Sequence, residues 1–333
     1  MASSHKHMIA LGAACIALIG VAVALKLSTL QEASAPTRYS AGQTRSGGIS
    51  PDASFYSPSA TQDQSSSAHS QAGTVGTAKS SSSAAAAPAG PVVTARAYLV
   101  GDVSTGEVLM ERDGKTVLPV ASMSKLITAI AATDTMSPTT TVTITPPEYD
   151  VASDTSRIAP GETFTLSEML YPLLLNSSNV AAEALASTSD RAKFLELMSS
   201  YAWEIGMPST YFADPSGLSP QNQSTAEDFF ALARYLYKSR PDILAITRTV
   251  STSTATTTDH GAHDFASIHP FVTDPDFLGG KTGHTPEAGD TMLTILNIGG
   301  RPIAIIVLGA DSGSRQSDTQ ILAAEAGKMV AGR

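Results

Sequence analysis

Ser122-Met123-Ser124-Lys125 is the stretch from which the rest of the chain can be read. It opens a run over residues 122–136 in which Met123, Leu126, Ile127 and Ile130 recur at helical spacing, predicting a helix with one buried stripe. Three residues make just under one helical turn, which puts the Ser122 hydroxyl and the Lys125 amine on the same side. Serine is a weak nucleophile until a base takes its proton, and a desolvated lysine loses enough basicity to act as that base. Backbone N–H groups at a helix start can hold a developing oxyanion. Serine three residues before lysine is nonetheless common by chance. Alone, the motif more often marks a solvated helix start, so its surroundings decide.

Toward the N-terminus, residues 8–25 form an uninterrupted apolar run between Lys6 and Lys26. Its eighteen residues are enough to cross a bilayer and long for a signal-peptide core. The expected organisation is a cytoplasmic stub over residues 1–7 and an uncleaved transmembrane anchor over residues 8–25. A cleaved signal at Ala33-Ser34-Ala35 is the rival, disfavoured by Pro36. Charge balance does not settle orientation. Residues 26–91, rich in Ser, Ala and Pro, cannot bury enough surface to offset their ordering entropy and read as a disordered linker. The lone cysteine, Cys15, excludes an internal disulfide, and apolar residues running past it disfavour lipid attachment. A net charge of −9 argues against a nucleic-acid partner.

Residues 92–333 read as the globular domain. Residues 95–103 and 107–111 are expected strands joined by Ser104-Thr105-Gly106. A short β-branched run follows at 141–145. Thr165-Leu166-Ser167-Glu168 is a capping box that starts a helix through Leu175. Residues 180–187 and 190–205 read as helices. Ser224-Thr225-Ala226-Glu227 reads as a second capping box, opening a helix to Lys238. Residues 247–254, 290–297 and 303–308 read as strands and 318–330 as a terminal helix. Strands at both ends with helices between them predict an α+β domain whose sheet closes by bringing the chain ends together.

Two further motifs lie downstream. Asn176-Ser177-Ser178-Asn179 falls between two helices, where polar side chains can project into a cleft, although Asn and Ser cap helices routinely. Gly280-Lys281-Thr282-Gly283-His284-Thr285 reads as a strand start. Its glycines allow close approach of a substrate backbone, and Lys281 and Thr282 can receive a carboxylate. A glycine-flanked turn accounts for the same letters.

Together, Ser-x-x-Lys, Ser-x-Asn and Lys-Thr-Gly in this order form the signature of penicillin-binding proteins and class A β-lactamases. With Pro119-Val120-Ala121 before the first motif, and Phe212-Ala213-Asp214-Pro215-Ser216-Gly217-Leu218 between the second and third, residues 92–333 resemble the low-molecular-mass penicillin-binding proteins. These are serine D-alanyl-D-alanine carboxypeptidases and DD-endopeptidases. The resemblance implies a β-lactamase/transpeptidase-like fold, an antiparallel sheet flanked by helices with a mostly helical subdomain inserted.

It also implies Ser122 as the acylated nucleophile, Lys125 as its base and Ser177 as the proton relay. Asn179 would hold substrate, Lys281 and Thr282 would position a terminal carboxylate, and Gly283 would let the substrate backbone approach. The oxyanion would be held by backbone N–H groups of Ser122 and His284, with Lys281 helping to keep Lys125 deprotonated. No cofactor or metal is implied, and His260, His263 and His269 are read as loop residues. The implied partners are a peptidoglycan stem peptide, β-lactams as covalent inhibitors, and the membrane through the N-terminal segment. The domain would lie outside the membrane on its anchor, or be secreted if the signal is cleaved.

Ser178 and Ser124 depart from the family's usual glycine and threonine. The short chain and the Pro-x-Ala-Ser approach to the nucleophile lean toward the DD-endopeptidase subgroup. A serine β-lactamase is the rival enzyme, but no Glu-x-x-x-Asn follows Ser-x-Asn, and Glu183 and Glu196 sit on expected helices without it. A catalytically degenerate wall-binding scaffold is the rival from another class.

Overall fold

The computed structural model describes residues 90–332. The apolar run at 8–25 and the linker read at 26–91 lie outside the described residues, except for residues 90 and 91. Among the described residues no helix is long and apolar enough to cross a membrane.

The chain begins with strands β1 (Ala97–Asp102) and β2 (Val108–Arg112), followed by β3 (Leu118–Pro119). The Asp102 carboxylate accepts from the Ser104 N–H at 2.8 Å and the Thr105 N–H at 3.1 Å, shaping the β1–β2 turn. A 3-10 turn at Ala121–Ser124 leads into helix α1 (Lys125–Thr135). Next come β4 (Thr141–Thr143), α2 (Pro146–Tyr149), β5 (Thr163–Thr165), α3 (Leu166–Leu174), α4 (Asn179–Ser187) and α5 (Arg191–Ile205). They are followed by β6 (Gln223–Ser224), α6 (Ala226–Ser239), α7 (Pro241–Thr247), β7 (Ser251–Thr254) and β8 (His263–Ala266). The chain closes with β9 (Phe277–Thr285), β10 (Gly289–Ile298), β11 (Arg301–Ala310) and α8 (Arg315–Ala331).

The main sheet has five antiparallel strands in the order β2-β1-β11-β10-β9. Pairing of Ala97 with Leu308 and of Asp102 with Ile303 closes the two ends of the domain on each other, as expected. Alternation assigns the faces. Leu99, Leu293, Ile295 and Ile306 join the core shared with α1, α3 and α4, whereas Tyr98, Val100, Met292 and Val307 pack with Leu322 and Ala326 of α8. Both faces are covered, so the central strands are almost continuously apolar.

Five expectations are corrected. Helix α1 is buried not on one stripe but at every position from Lys125 to Ala132, because small residues such as Ala129 and Ala131 let neighbouring helices close on all sides. The second capping box is shifted by one: Thr225 is the cap, its Oγ1 accepting from the Asp228 N–H at 3.0 Å, while Ser224 lies in β6. Thr247 ends α7 instead of opening a strand, since Pro241 at the first helical position presets the backbone for a helix. The Lys-Thr-Gly motif lies at the end of β9, not its start. His263, read as a loop residue, is in β8 and bonds Glu162 at 2.8 Å.

Candidate active site

Ser122 sits in the 3-10 turn, directly before α1. In 3-10 geometry residues i and i+3 eclipse, a tighter alignment than the α-helical one expected from sequence. The Lys125 Nζ is 2.9 Å from the Ser122 Oγ. The turn is entered through Ala121 at φ 50°, a conformation rare for a residue with a Cβ and concentrated at functional sites. Gly217 lies against it: a Cβ there would stand 2.0 Å from the Ala121 carbonyl oxygen.

Lys125 is fully buried. Besides Ser122, its amine meets the Asn179 Oδ1 at 2.7 Å and the Ser216 carbonyl at 2.6 Å. Burial lowers its pKa to about 7, against the opposing pull of Asp214, Asp154 and Glu183. An amine that is near half neutral at pH 7 and in contact with a hydroxyl is suited to general-base work. Burial, rather than repulsion from Lys281, is the cause that lowers Lys125.

The Ser216 carbonyl is aimed by Asp214, whose carboxylate accepts from the Ser216 N–H at 2.8 Å and the Ser219 N–H at 2.6 Å. Asn222 ties this loop to the Ser122 turn, its Nδ2 donating to the Ser124 Oγ at 3.0 Å. Ser124 thus has a structural bond of its own in place of the usual threonine.

Ser177 has φ 61° and precedes α4, whose cap is Ser178. The Asp154 Oδ1 accepts from the Ser178 Oγ and the Asn179 N–H, each at 2.7 Å, and from the Val180 N–H at 3.2 Å. Burial would raise the Asp154 pKa, but the hydrogen bonds from Ser156, Ser178 and Val180 outweigh it and hold the carboxyl below its usual range. Ser178, where the family usually has glycine, caps α4, its Oγ accepting from the Ala181 N–H at 3.0 Å. Asp154 was not identified from sequence: it lies more than twenty residues from the loop it holds, with no spacing to mark it.

On β9, the Lys281 Nζ donates to the Ser177 Oγ at 2.8 Å and to the Thr282 carbonyl at 2.9 Å. Its pKa is well below normal, first through burial and then through the charges of Lys125 and Arg315. A Cβ on Gly283 would fall 2.5 Å from the Thr291 Oγ1 and 2.9 Å from the Ser122 nitrogen, so only glycine lets β9 run this close to Ser122. The His284 Nδ1 is held 2.8 Å from Asp290, and its side chain is 47 % exposed.

Ser122, Ser177, Asn179, Thr282, Gly283 and His284 line one cavity of about 420 Å³. Lys125 and Lys281 lie buried beneath it and reach it through Ser122 and Ser177. All eight expected residues are thus brought together. Arg315, missed from sequence because it opens the last helix far from any motif, also lines this cavity and bonds the Gly283 carbonyl at 2.9 Å. Glu183 does not line it and is paired with Arg191 at 2.7 Å, and Glu196 does not line it either.

The sequence pattern of the D-alanyl-D-alanine carboxypeptidase family matches residues 82–312. A D-alanyl-D-alanine endopeptidase of Pseudomonas aeruginosa is 32% identical over 222 residues, covering 64% of this chain and 70% of that one. Among solved structures, a D-alanyl-D-alanine carboxypeptidase from Mycobacterium tuberculosis superposes with a TM-score of 0.64 at 27% identity, over 71% of this chain and 92% of its own. The Streptomyces K15 DD-transpeptidase shares the fold, with a TM-score of 0.65 at 23% identity over 72% and 98% of the two chains. The chain belongs to the D-alanyl-D-alanine carboxypeptidase family and is a serine-type D-Ala-D-Ala carboxypeptidase/endopeptidase.

Proposed function

We propose that Ser122 is the residue acylated and Lys125 the base that activates it. The observation that carries this is the 2.9 Å contact between the Ser122 hydroxyl and a fully buried amine. Neutral Lys125 takes the hydroxyl proton as the Ser122 oxygen attacks the carbonyl between two D-alanine residues of a stem peptide. The tetrahedral oxyanion is held by the N–H groups of Ser122 and His284, in the narrow gap that Gly283 permits. Ser177, bonded to Lys281, passes a proton to the departing amine. Thr282 and Arg315 receive the terminal carboxylate, and Asn179 orients the peptide. Water then attacks the ester, releasing the shortened peptide and returning the proton to Ser122. A β-lactam follows the first half of this path, and its ring-opened product remains on Ser122.

For the chain as a whole, residues 8–25 hold it in the cell membrane, with the catalytic domain on the outer side, where peptidoglycan lies. The rival is release after signal cleavage. Fractionating cells that express the full chain discriminates the two: retention in membranes after a salt wash supports the anchor, and recovery of a shortened chain in the soluble extracytoplasmic fraction supports cleavage.

The catalytic assignment is tested with fluorescent penicillin. Labelling of the full chain and its loss in a folded Ser122→Ala variant is the expected result. Labelling that survives the substitution would overturn it.

A further inference from the structure

Beside the cavity over Ser122 lies a second one of about 440 Å³, lined by Pro270, Ser312, Gly313 and Gln316. The two share Ile268, His284 and Arg315, so these residues form a rim with a cavity on either side. Along β9, Thr282 and His284 pair with Met292 and Asp290, and Met292 packs in the core shared with α8, the helix that Arg315 opens. A carboxylate received by Thr282 and Arg315 therefore sits at the rim, which brings the leaving residue's α-carbon, and the side chain that branches from it, next to the second cavity.

A departing free D-alanine carries only a methyl group there and needs no second cavity. The leaving residue of a cross-linked stem carries instead an arm that continues into another peptide, and a space of this size falls within the range of ligand sites. The wall of the second cavity is part polar and carries the Asp290 carboxylate and the Arg315 guanidinium. Asp290 is already engaged, by the His284 Nδ1 at 2.8 Å and the Gly313 N–H at 2.9 Å, with Arg315 3.6 Å away. Arg315 is the one lysine or arginine lining either cavity, on a chain of net charge −9.

We propose that this cavity is a subsite for the leaving strand of a D,D-cross-linked stem peptide, and that it directs the enzyme toward cross-link cleavage over trimming of the terminal D-alanine. The proposal rests on the assignment of Ser122 and Arg315 made above. The test uses the full chain with Ser312→Trp and Gln316→Trp, two exposed positions where a large side chain fills the cavity without entering the core. Three rates are compared: acylation by penicillin, release of D-alanine from a monomeric pentapeptide, and cleavage of a cross-linked muropeptide dimer. Penicillin acylation also reports that each variant is folded. The expected result is that kcat/KM for the dimer falls about tenfold or more, while the other two rates stay within about twofold, since a lost subsite contact weakens only the substrate that uses it. Equal losses on dimer and monomer, or an unchanged dimer rate, overturn the subsite but leave the Ser122 assignment standing. Failure of the wild-type chain to react with penicillin at all overturns both.

Discussion

The Lys125 Nζ donates to the Asn179 Oδ1 at 2.7 Å, joining the helix that follows Ser122 to the helix that begins at the second motif. A neutral amide at this position takes a hydrogen bond from the amine without favouring its charged form as a carboxylate would. Asn179→Asp places an anion there, and an opposite charge at this range favours the ammonium by about one to three pKa units. Acylation at pH 7 should fall by at least about tenfold, and its pH profile should move to higher pH. Stopped-flow acylation by a chromogenic cephalosporin from pH 6 to 10 checks it. An unshifted profile would refute the placement of Lys125 as base.

In the unsubstituted chain, the acylation rate should rise with pH through about 7, the value to which burial lowers Lys125. The same shift affects stability. The unfolded chain binds this proton below 10.5 and the folded chain only below about 7. Between those values the unfolded state carries more protons, so stability rises with pH at up to about 1.4 kcal/mol per unit from this group. Lys125→Met removes that contribution. The difference in unfolding free energy between the two proteins should grow in favour of the wild type from pH 7 to 10, read by denaturant titration at each pH.

Gly283→Ala introduces a Cβ 2.5 Å from the Thr291 Oγ1 and 2.9 Å from the Ser122 nitrogen. Overpacking of this kind costs about 1–3 kcal/mol and widens the gap proposed to hold the oxyanion. Penicillin acylation should drop by about tenfold or more, and the thermal midpoint should fall as well. Gly327→Ala on α8 is the control, because its Cβ meets no atom nearer than 3.8 Å and helix propensity favours alanine there. It should leave acylation unchanged and the midpoint equal or higher.

Asp154→Ala takes from the start of α4 the carboxylate that accepts from Ser178, Asn179 and Val180. Loss of such an anchor costs about 1–3 kcal/mol. Because Ser177 and Asn179 ride on that loop, peptide hydrolysis should fall further than global stability accounts for. Hydrolysis of a D-Ala-D-Ala peptide well below the unfolding midpoint provides the comparison. Activity that tracks the folded fraction alone would make Asp154 merely structural.

Much of the architecture was legible because it is written locally. The Thr165 capping box starts α3 where the spacing put it, with the Glu168 Oε2 2.8 Å from the Thr165 N–H, and β1 closes on β11 as the order of strands and helices implied. The misread elements are those decided by neighbours. Thr247 has strand propensity, yet it ends a helix, and its Oγ1 accepts from the Gly280 N–H of β9 at 3.2 Å, a contact that no local pattern announces.

From its letters alone, the chain determined which side chains meet at the cavity, since three short motifs carry Ser122, Lys125, Ser177, Asn179, Lys281 and Thr282, the groups to which the proposed chemistry is assigned. Tertiary structure alone decided how those groups behave. The basicity of Lys125 follows from its removal from water by helices that pack around α1 on every side, and burial cannot be read from one segment. The second cavity past Arg315 likewise exists only because the last helix returns to the edge of β9, and proximity between distant segments is a property of the folded chain.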